Sequence, residues 1–462
     1  MTSTPDARRR VIVIGGGLAA MLTAAALRED ADVTVIERDA LPDTAAPRKG
    51  LPQANHAHLL WSGGADAIET LLPGTAKALA AAGAHRIPLT RGMVAYSPRG
   101  WYRRWDESHY VIGCSRDRLD AIVREQLLPD ERITVREETV VVSLTGGAAA
   151  VTGVRIRTTD GLEETLAADL VVDASGRSSR TPEWLKALGL EEPDTRTVDS
   201  GLVYASRIYQ APEGLPADWP IINVQADPAG DGPGQGGVIL PIEDGRWMVT
   251  LFGTRGGQPT ASNDDFVPFA KALRHPIIGD ILDAATPLTD VTTTRTTVNR
   301  RRFYEKTTMP EGLAVIGDAT GAFNPTYGHG MSVAAQGAVS VRDTVRARGW
   351  TPGLARRIQK AVARPVNTAW TFATGTDVFY DGATENGPTF AEKAAAALVS
   401  RLVYTSTGSG RMARALTDVM VLDAGPETLA RPSTLIAAVR GPLKPQLTEP
   451  PLTAEERKAV HL

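Results

Sequence analysis

The chain has 462 residues, 42% hydrophobic and 22% charged, with a net charge of −3 and a pI of about 6.2. Those values suit a soluble globular enzyme of two or three domain-sized units with a sizeable core, and no basic run marks a nucleic-acid surface. The single cysteine, Cys114, excludes an internal disulfide framework and a cysteine-based zinc site, which fits a reducing cytoplasm. No apolar stretch reaches membrane-spanning length, so stable membrane insertion is not expected.

The opening "RRRVIVIGGGLAAMLTAAAL" has the basic start and apolar run of a signal peptide. Its three glycines and the continuation "REDADVTVIERD" read instead as strand, turn, helix, strand, a βαβ unit. A polar, Pro-containing loop follows, then helical turns broken at Gly and Pro. In "SRDRLDAIVREQLL" (115–128), Leu119, Ile122, Val123 and Leu127 fall at helical spacing. Alternating strands follow, and "ADLVVDASGRSSR" (168–180) is a further strand ending in a Gly turn. From about 200 to 310 strands dominate, with a hairpin signal at Asp244-Gly245. "GLAVIGDA" (312–319) is again a buried strand, the chain turns helical after 332, and a Pro-rich tail is expected to wrap the surface.

The predicted fold class is α/β. A Rossmann-type nucleotide-binding domain would span 8–195 and close again over 311–350. An inserted antiparallel β-sheet would form a substrate domain over 196–310, and 351–462 would be a C-terminal helical region with its tail.

Two motifs carry chemistry. Gly15-Gly16-Gly17-Leu18-Ala19-Ala20 supplies G-x-G-x-x-A between a strand and a helix. Gly15 allows the tight turn, Gly17 lets a pyrophosphate approach the backbone, and Ala20 packs helix on strand. The diphosphate would sit on the N–H groups at the helix start. Glu37, at the end of the second strand, is placed for a ribose hydroxyl pair, with Arg38 beside it. This fingerprint does not separate NAD from FAD. "GDATGAFNPTYGHGMS" (317–332) does: Asp318 can accept hydrogen bonds from a ribityl chain. Pro325, Gly328 and Gly330 shape a loop into a helix near Met331–Ser332, whose N–H groups would face the N1/O2 side of a flavin ring.

These segments, with "DASGRSSR" (173–180), resemble the FAD-dependent monooxygenases of the para-hydroxybenzoate hydroxylase type over residues 10 to 375. "RKGLPQANHAHLLWSGG" (48–64), "SRDRLD" and "NPTYGHGMS" are most similar to the epoxidases of bacterial polyether and polyene polyketide pathways, with squalene epoxidase more distant. The resemblance implies that Arg48 and Arg116 contact FAD, and that Ala174 and Gly176 belong to the cofactor site. The mid-chain segment reads Asp-Ala-Ser-Gly where aromatic hydroxylases read Asp-Gly, a departure at the expected NAD(P)H contacts. It also implies non-covalent FAD, NAD(P)H as electron donor and molecular oxygen as co-substrate. Oxygen would reach an alkene through a flavin C4a-hydroperoxide, with no catalytic side chain required. No second nucleotide fingerprint is present, so the nicotinamide binds transiently or a partner reductase delivers the electrons.

The expected substrate is a small-molecule polyene or polyketide, held between ring and sheet by Trp61, Tyr204, Leu240, Pro241, Phe252, Phe323, Asn324 and Trp370. His56 and His58 lack companions for a metal site. They read as flavin contacts or packing groups, and His329 reads as structural. Aromatic hydroxylation and flavin-dependent alkene reduction are the alternatives. A halogenase is disfavoured by the absence of Trp-x-Trp-x-Ile-Pro.

Overall fold

The computed structural model describes residues 8–462. Its first unit is built as the sequence predicts. Strand β1 (Arg9–Ile14) is buried over its last four residues, and helix α1 (Leu18–Leu27) is buried at nine of ten positions. Strand β2 (Ala31–Ile36) returns parallel to β1. A helix so uniformly apolar must be covered on all sides. The long helix Gly330–Arg348 supplies one cover, and the helix Leu354–Asp377 packs behind it.

The central sheet has five strands, all parallel, in the order Leu313–Val315, Leu170–Asp173, β1, β2, Ile133–Arg136. The register sets Ile14 beside both Ile36 and Asp173, and Asp173 beside Val315. The loops at Gly15, Glu37, Ala174 and Gly317 therefore leave the sheet at one level. That edge, outside the carboxyl ends of parallel strands, is where open α/β sheets bind ligands.

A second sheet of eight strands is antiparallel except where Ile221–Val224 meets Met93–Ser97. The predicted hairpin forms between Gln235–Ile242 and Arg246–Gly253, with Asp244 and Gly245 both at positive φ. Two features of this unit differ from the sequence reading. Its edge strands Met93–Ser97 and Gly100–Trp101 come from a much earlier part of the chain. They are short and bounded by Gly92 and Pro98, which hides their periodicity. Two helices, Asn263–Lys271 and Ile277–Leu282, interrupt the strand-rich stretch and cover the face carrying Tyr209 and Trp247. Pro268 and Gly279 inside them mask the helical signal.

The C-terminal third is helical, as expected. The tail crosses back to the large sheet, where Arg104 bridges Glu456 at 2.7 Å and Leu452 and Val460 are buried with Trp101. No helix among the described residues is long and apolar enough to cross a membrane.

Candidate functional site

The site begins at the first glycine turn. Gly15 has φ +105°, and a Cβ there would lie 2.8 Å from the Ala174 carbonyl oxygen. A Cβ on Gly16 would strike the Glu37 carboxylate. At Gly17 the position is different: φ is −81° and a Cβ would meet nothing within 4 Å. Gly17 therefore borders open space, not protein. No side chain caps α1, so the N–H groups of Leu18 and Ala19 point out at that space unpaired. This is a cradle that a Cβ would fill, with donors and a helix dipole aimed at an anion, and it fits a dinucleotide pyrophosphate.

Glu37 and Arg48 close one side of the cradle. Glu37 Oε2 accepts the Gly16 N–H at 2.5 Å and pairs with Arg48 Nη2 at 3.1 Å, while Oε1 accepts the Asp39 N–H at 3.0 Å. Oε1 keeps a lone pair for a ribose hydroxyl. Arg48 Nη1 donates to the Gly16 carbonyl at 2.8 Å, and its buried Nε has no partner. Arg116 is buried at the start of the helix Arg116–Leu127 and its Nε bonds Asp120 at 2.8 Å. It depresses the pKa of nearby His58, which burial first and Arg116 second hold near 3. Arg38 stands apart, exposed, 3.7 Å from Asp39.

The second motif meets the first directly. Gly317, at φ +60°, lies so close to α1 that a Cβ would come 2.9 Å from the Cβ of Ala19. Asp318 sits 3.8 Å from Arg177 Nε, and a Cβ on Gly330 would find Asp318 Oδ1 at 3.9 Å. Arg177 also donates to the Phe323 carbonyl at 2.6 Å, so the mid-chain segment grips the loop that precedes the helix Gly330–Arg348. The mid-chain Asp173 is fully buried and takes donors from Ser175, Ser179 and Thr181. Four hydrogen bonds make that carboxylate a tie for its own loop, with Gly176 at φ +78° facing open space.

Past Asp318, Asn324 caps the short turn Pro325–Tyr327 by accepting the Thr326 N–H at 2.9 Å. Gly328 is at φ +66° and packs on Leu59 and the Trp61 indole nitrogen, which donates to the Tyr327 carbonyl at 3.0 Å. His329 precedes the long helix without capping it by a side chain. The N–H groups of Gly330, Met331 and Ser332 thus form a second unpaired helix start. His329 Nε2 bonds the Met420 carbonyl at 2.8 Å, and burial lowers its pKa to about 4.

The expected wall residues divide by strand register. Tyr204, Leu240 and Phe252 share the sheet face that looks toward the first unit, with Trp61 packed against Leu240. Pro241 does not: it pairs with Trp247, which pairs with Tyr209, so it lies on the opposite face. Consecutive strand residues point to opposite sides, so Leu240 and Pro241 could never share a wall. Phe323 and Trp370 belong to the core of the first unit, 6% and 8% exposed.

Sequence reasoning missed a polar network behind this wall. Tyr204 OH donates to Asn324 Oδ1 at 3.1 Å and lies 2.7 Å from the Thr326 hydroxyl. Asp377 Oδ2 accepts from Asn324 Nδ2 at 2.8 Å, Asn299 Nδ2 at 2.7 Å and Ser200 Oγ at 3.4 Å. His56 Nδ1 lies 2.7 Å from Ser206 Oγ, which is 2.6 Å from Thr250 Oγ1. Scattered over 177 residues of chain, Ser200, Asn299 and Asp377 carry no sequence signal beyond their polarity in apolar surroundings.

The geometry is that of a nucleotide cradle joined to a second anion-favouring helix start, and comparison with known proteins gives it a family. The model of the FAD-binding-domain family matches residues 8–345. The chain belongs to that family. It is an FAD-binding enzyme of the flavin-dependent monooxygenase class, whose members use NAD(P)H and oxygen with the flavin. It is 30% identical to Protein Rv3254 of Mycobacterium tuberculosis over 397 residues, covering 81% of each chain. It is 25% identical to the kynurenine 3-monooxygenase of Salinispora tropica over 371 residues, covering 74% of this chain and 73% of that one. Among solved structures, the flavoprotein/dehydrogenase of Cytophaga hutchinsonii superposes with a TM-score of 0.65 at 14% identity, covering 93% of this chain and 96% of that one. PqsL of Pseudomonas aeruginosa, a probable FAD-dependent monooxygenase, gives 0.62 at 16% identity, covering 84% and 99%. Both share the fold of this flavoprotein.

Proposed function

We propose that this flavoprotein epoxidises alkenes of a polyketide precursor of the polyether type, with NAD(P)H as electron donor. The supporting observation is the character of the wall facing the ring-side loop. Tyr204, Leu240 and Phe252 give it two aromatic rings and an aliphatic side chain, and the carboxyl group behind it, Asp377, is engaged by Asn324, Asn299 and Ser200. Burial holds the Tyr204 hydroxyl well above its ordinary range, so it stays protonated, and His56 Nδ1 is already engaged with Ser206 Oγ at 2.7 Å. Transfer of an electrophilic oxygen to an alkene needs no base, whereas hydroxylation of a phenol is helped by one.

FAD, when bound and reduced, supplies the activation of oxygen. The chain's residues do the rest. Gly17 and the N–H groups of Leu18 and Ala19 hold the diphosphate, flanked by Arg48. Asp318 takes the ribityl hydroxyls. The N–H groups at Gly330–Ser332 would stabilise negative charge on the reduced flavin. The buried wall excludes water, which protects a reactive oxygen species from wasteful decay. Hydroxylation of an aromatic ring is the second reading, favoured by the similarity to a kynurenine 3-monooxygenase.

Aerobic turnover with NADPH separates the two. The holoenzyme is given a conjugated triene thioester or a simple phenol, and product masses are read. Gain of one oxygen on the triene, with epoxide fragmentation, is expected. Gain on the phenol alone would replace epoxidation by aromatic hydroxylation.

A further inference from the structure

His56 is 5% exposed, and its Nε2 has no hydrogen-bond partner among the described residues. Its other nitrogen faces a defined chain of hydroxyls. The Ala57 N–H donates to Thr250 Oγ1 at 2.9 Å. That leaves the Thr250 proton for Ser206 Oγ at 2.6 Å, and the Ser206 proton for His56 Nδ1 at 2.7 Å. This direction employs both hydroxyl protons. The reverse direction strands the Thr250 proton. Nδ1 is therefore an acceptor, and the neutral ring carries its proton on Nε2.

A buried N–H donor without an acceptor is costly, and native proteins rarely leave one. The residues around it show what kind of acceptor is missing. Ser206 and Thr250 lie on the same sheet face as Tyr204, Phe252 and Leu240, and the His56 ring is 5.8 Å from the Tyr204 ring. Tyr204 in turn touches the ring-side loop through Asn324. His56 thus stands one aromatic ring away from the loop, on the wall where the substrate is placed.

We propose that His56 Nε2–H anchors an oxygen acceptor of the substrate. The substrate is then not a bare hydrocarbon: it carries a carbonyl, ether or hydroxyl oxygen close to the bond that is oxygenated. Ser206 and Thr250 are positioning residues that lock the ring in the donating tautomer. The inference rests on the substrate site lying between the ring-side loop and this sheet face, and it deepens the epoxidase reading by naming a feature of the substrate.

The test uses FAD-loaded enzyme and two probe pairs, each setting an oxygen-bearing probe against an oxygen-free counterpart: a triene thioester against the equivalent triene hydrocarbon, and a phenol against toluene. Binding is read from the perturbed flavin absorbance. In at least one pair the oxygenated member should bind wild type about tenfold or more tightly than its partner. In His56→Leu that gap should collapse to near unity, while FAD content and the affinity of the hydrocarbon are unchanged. Ser206→Ala, which frees the ring without removing it, should narrow the gap in part. A gap confined to the phenol pair sustains His56 as anchor and removes the polyene substrate instead. A gap that survives in His56→Leu, or no gap in wild type with either pair, overturns the proposal.

Discussion

Asp377 Oδ2 lies 2.8 Å from Asn324 Nδ2, so a carboxyl group on the helix Leu354–Asp377 holds the loop that leads into the helix Gly330–Arg348. Asp377 is 3% exposed, and its partners are Asn324, Asn299 and Ser200, with Asp199 adding repulsion. Burial raises its pKa from 3.8 to about 6, which the three hydrogen bonds only partly offset. Between those values the unfolded chain loses the proton while the folded one keeps it, so this group's stabilising contribution is full below pH 3.8 and falls as pH rises through 6. Asp377→Asn retains an acceptor oxygen and removes the titration. Thermal melts of the two proteins from pH 4 to 7 should show wild type losing roughly 3 kcal/mol relative to the variant. A stability difference that does not change with pH would contradict this.

The glycine turn makes a paired prediction. Gly17→Val adds a side chain into open space at an ordinary φ, so folding stability should change by no more than about 0.5 kcal/mol. FAD should bind at least tenfold more weakly, because the added methyls would fill the open space proposed for the pyrophosphate. Gly15→Ala should behave the opposite way. Its φ of +105° and the 2.8 Å approach to Ala174 should destabilise the fold by about 2 kcal/mol. Calorimetry and FAD titration together separate the two. Equal stability loss in both variants would remove the open cradle from the account.

Asp318 is about a third exposed and 3.8 Å from Arg177, a weak ion pair. Asp318→Ala should therefore melt close to wild type. Its FAD affinity should fall roughly 10- to 100-fold, the loss expected when charge-assisted hydrogen bonds to a ligand are removed. Full FAD occupancy after gel filtration would count against Asp318 as a ribityl contact.

Much of this was legible in the sequence because local signals carried it. The run from Arg9 to Ile36 declares strand, turn and helix through β-branched residues and glycines. Leu119, Ile122, Val123 and Leu127 declare a helix. The face of a strand was harder. Leu240 and Pro241 both look like wall residues, yet the period of two allows only one, and the register that decides it comes from pairing with Trp247 and Met248. Asp377, Asn299 and Ser200 were invisible because their meeting depends on tertiary packing alone. His56 was visible as a residue, but its missing partner appears only when Ser206 and Thr250 arrive from the sheet.

Turnover under labelled oxygen decides whether this flavoprotein inserts oxygen into an alkene. The holoenzyme is supplied with NADPH, the triene thioester and ¹⁸O₂, and the product is analysed by mass spectrometry. One labelled oxygen per product is expected, with the label in an epoxide. A product that gains two hydrogens and no oxygen, formed equally well without air, would contradict monooxygenation and make the protein an alkene reductase.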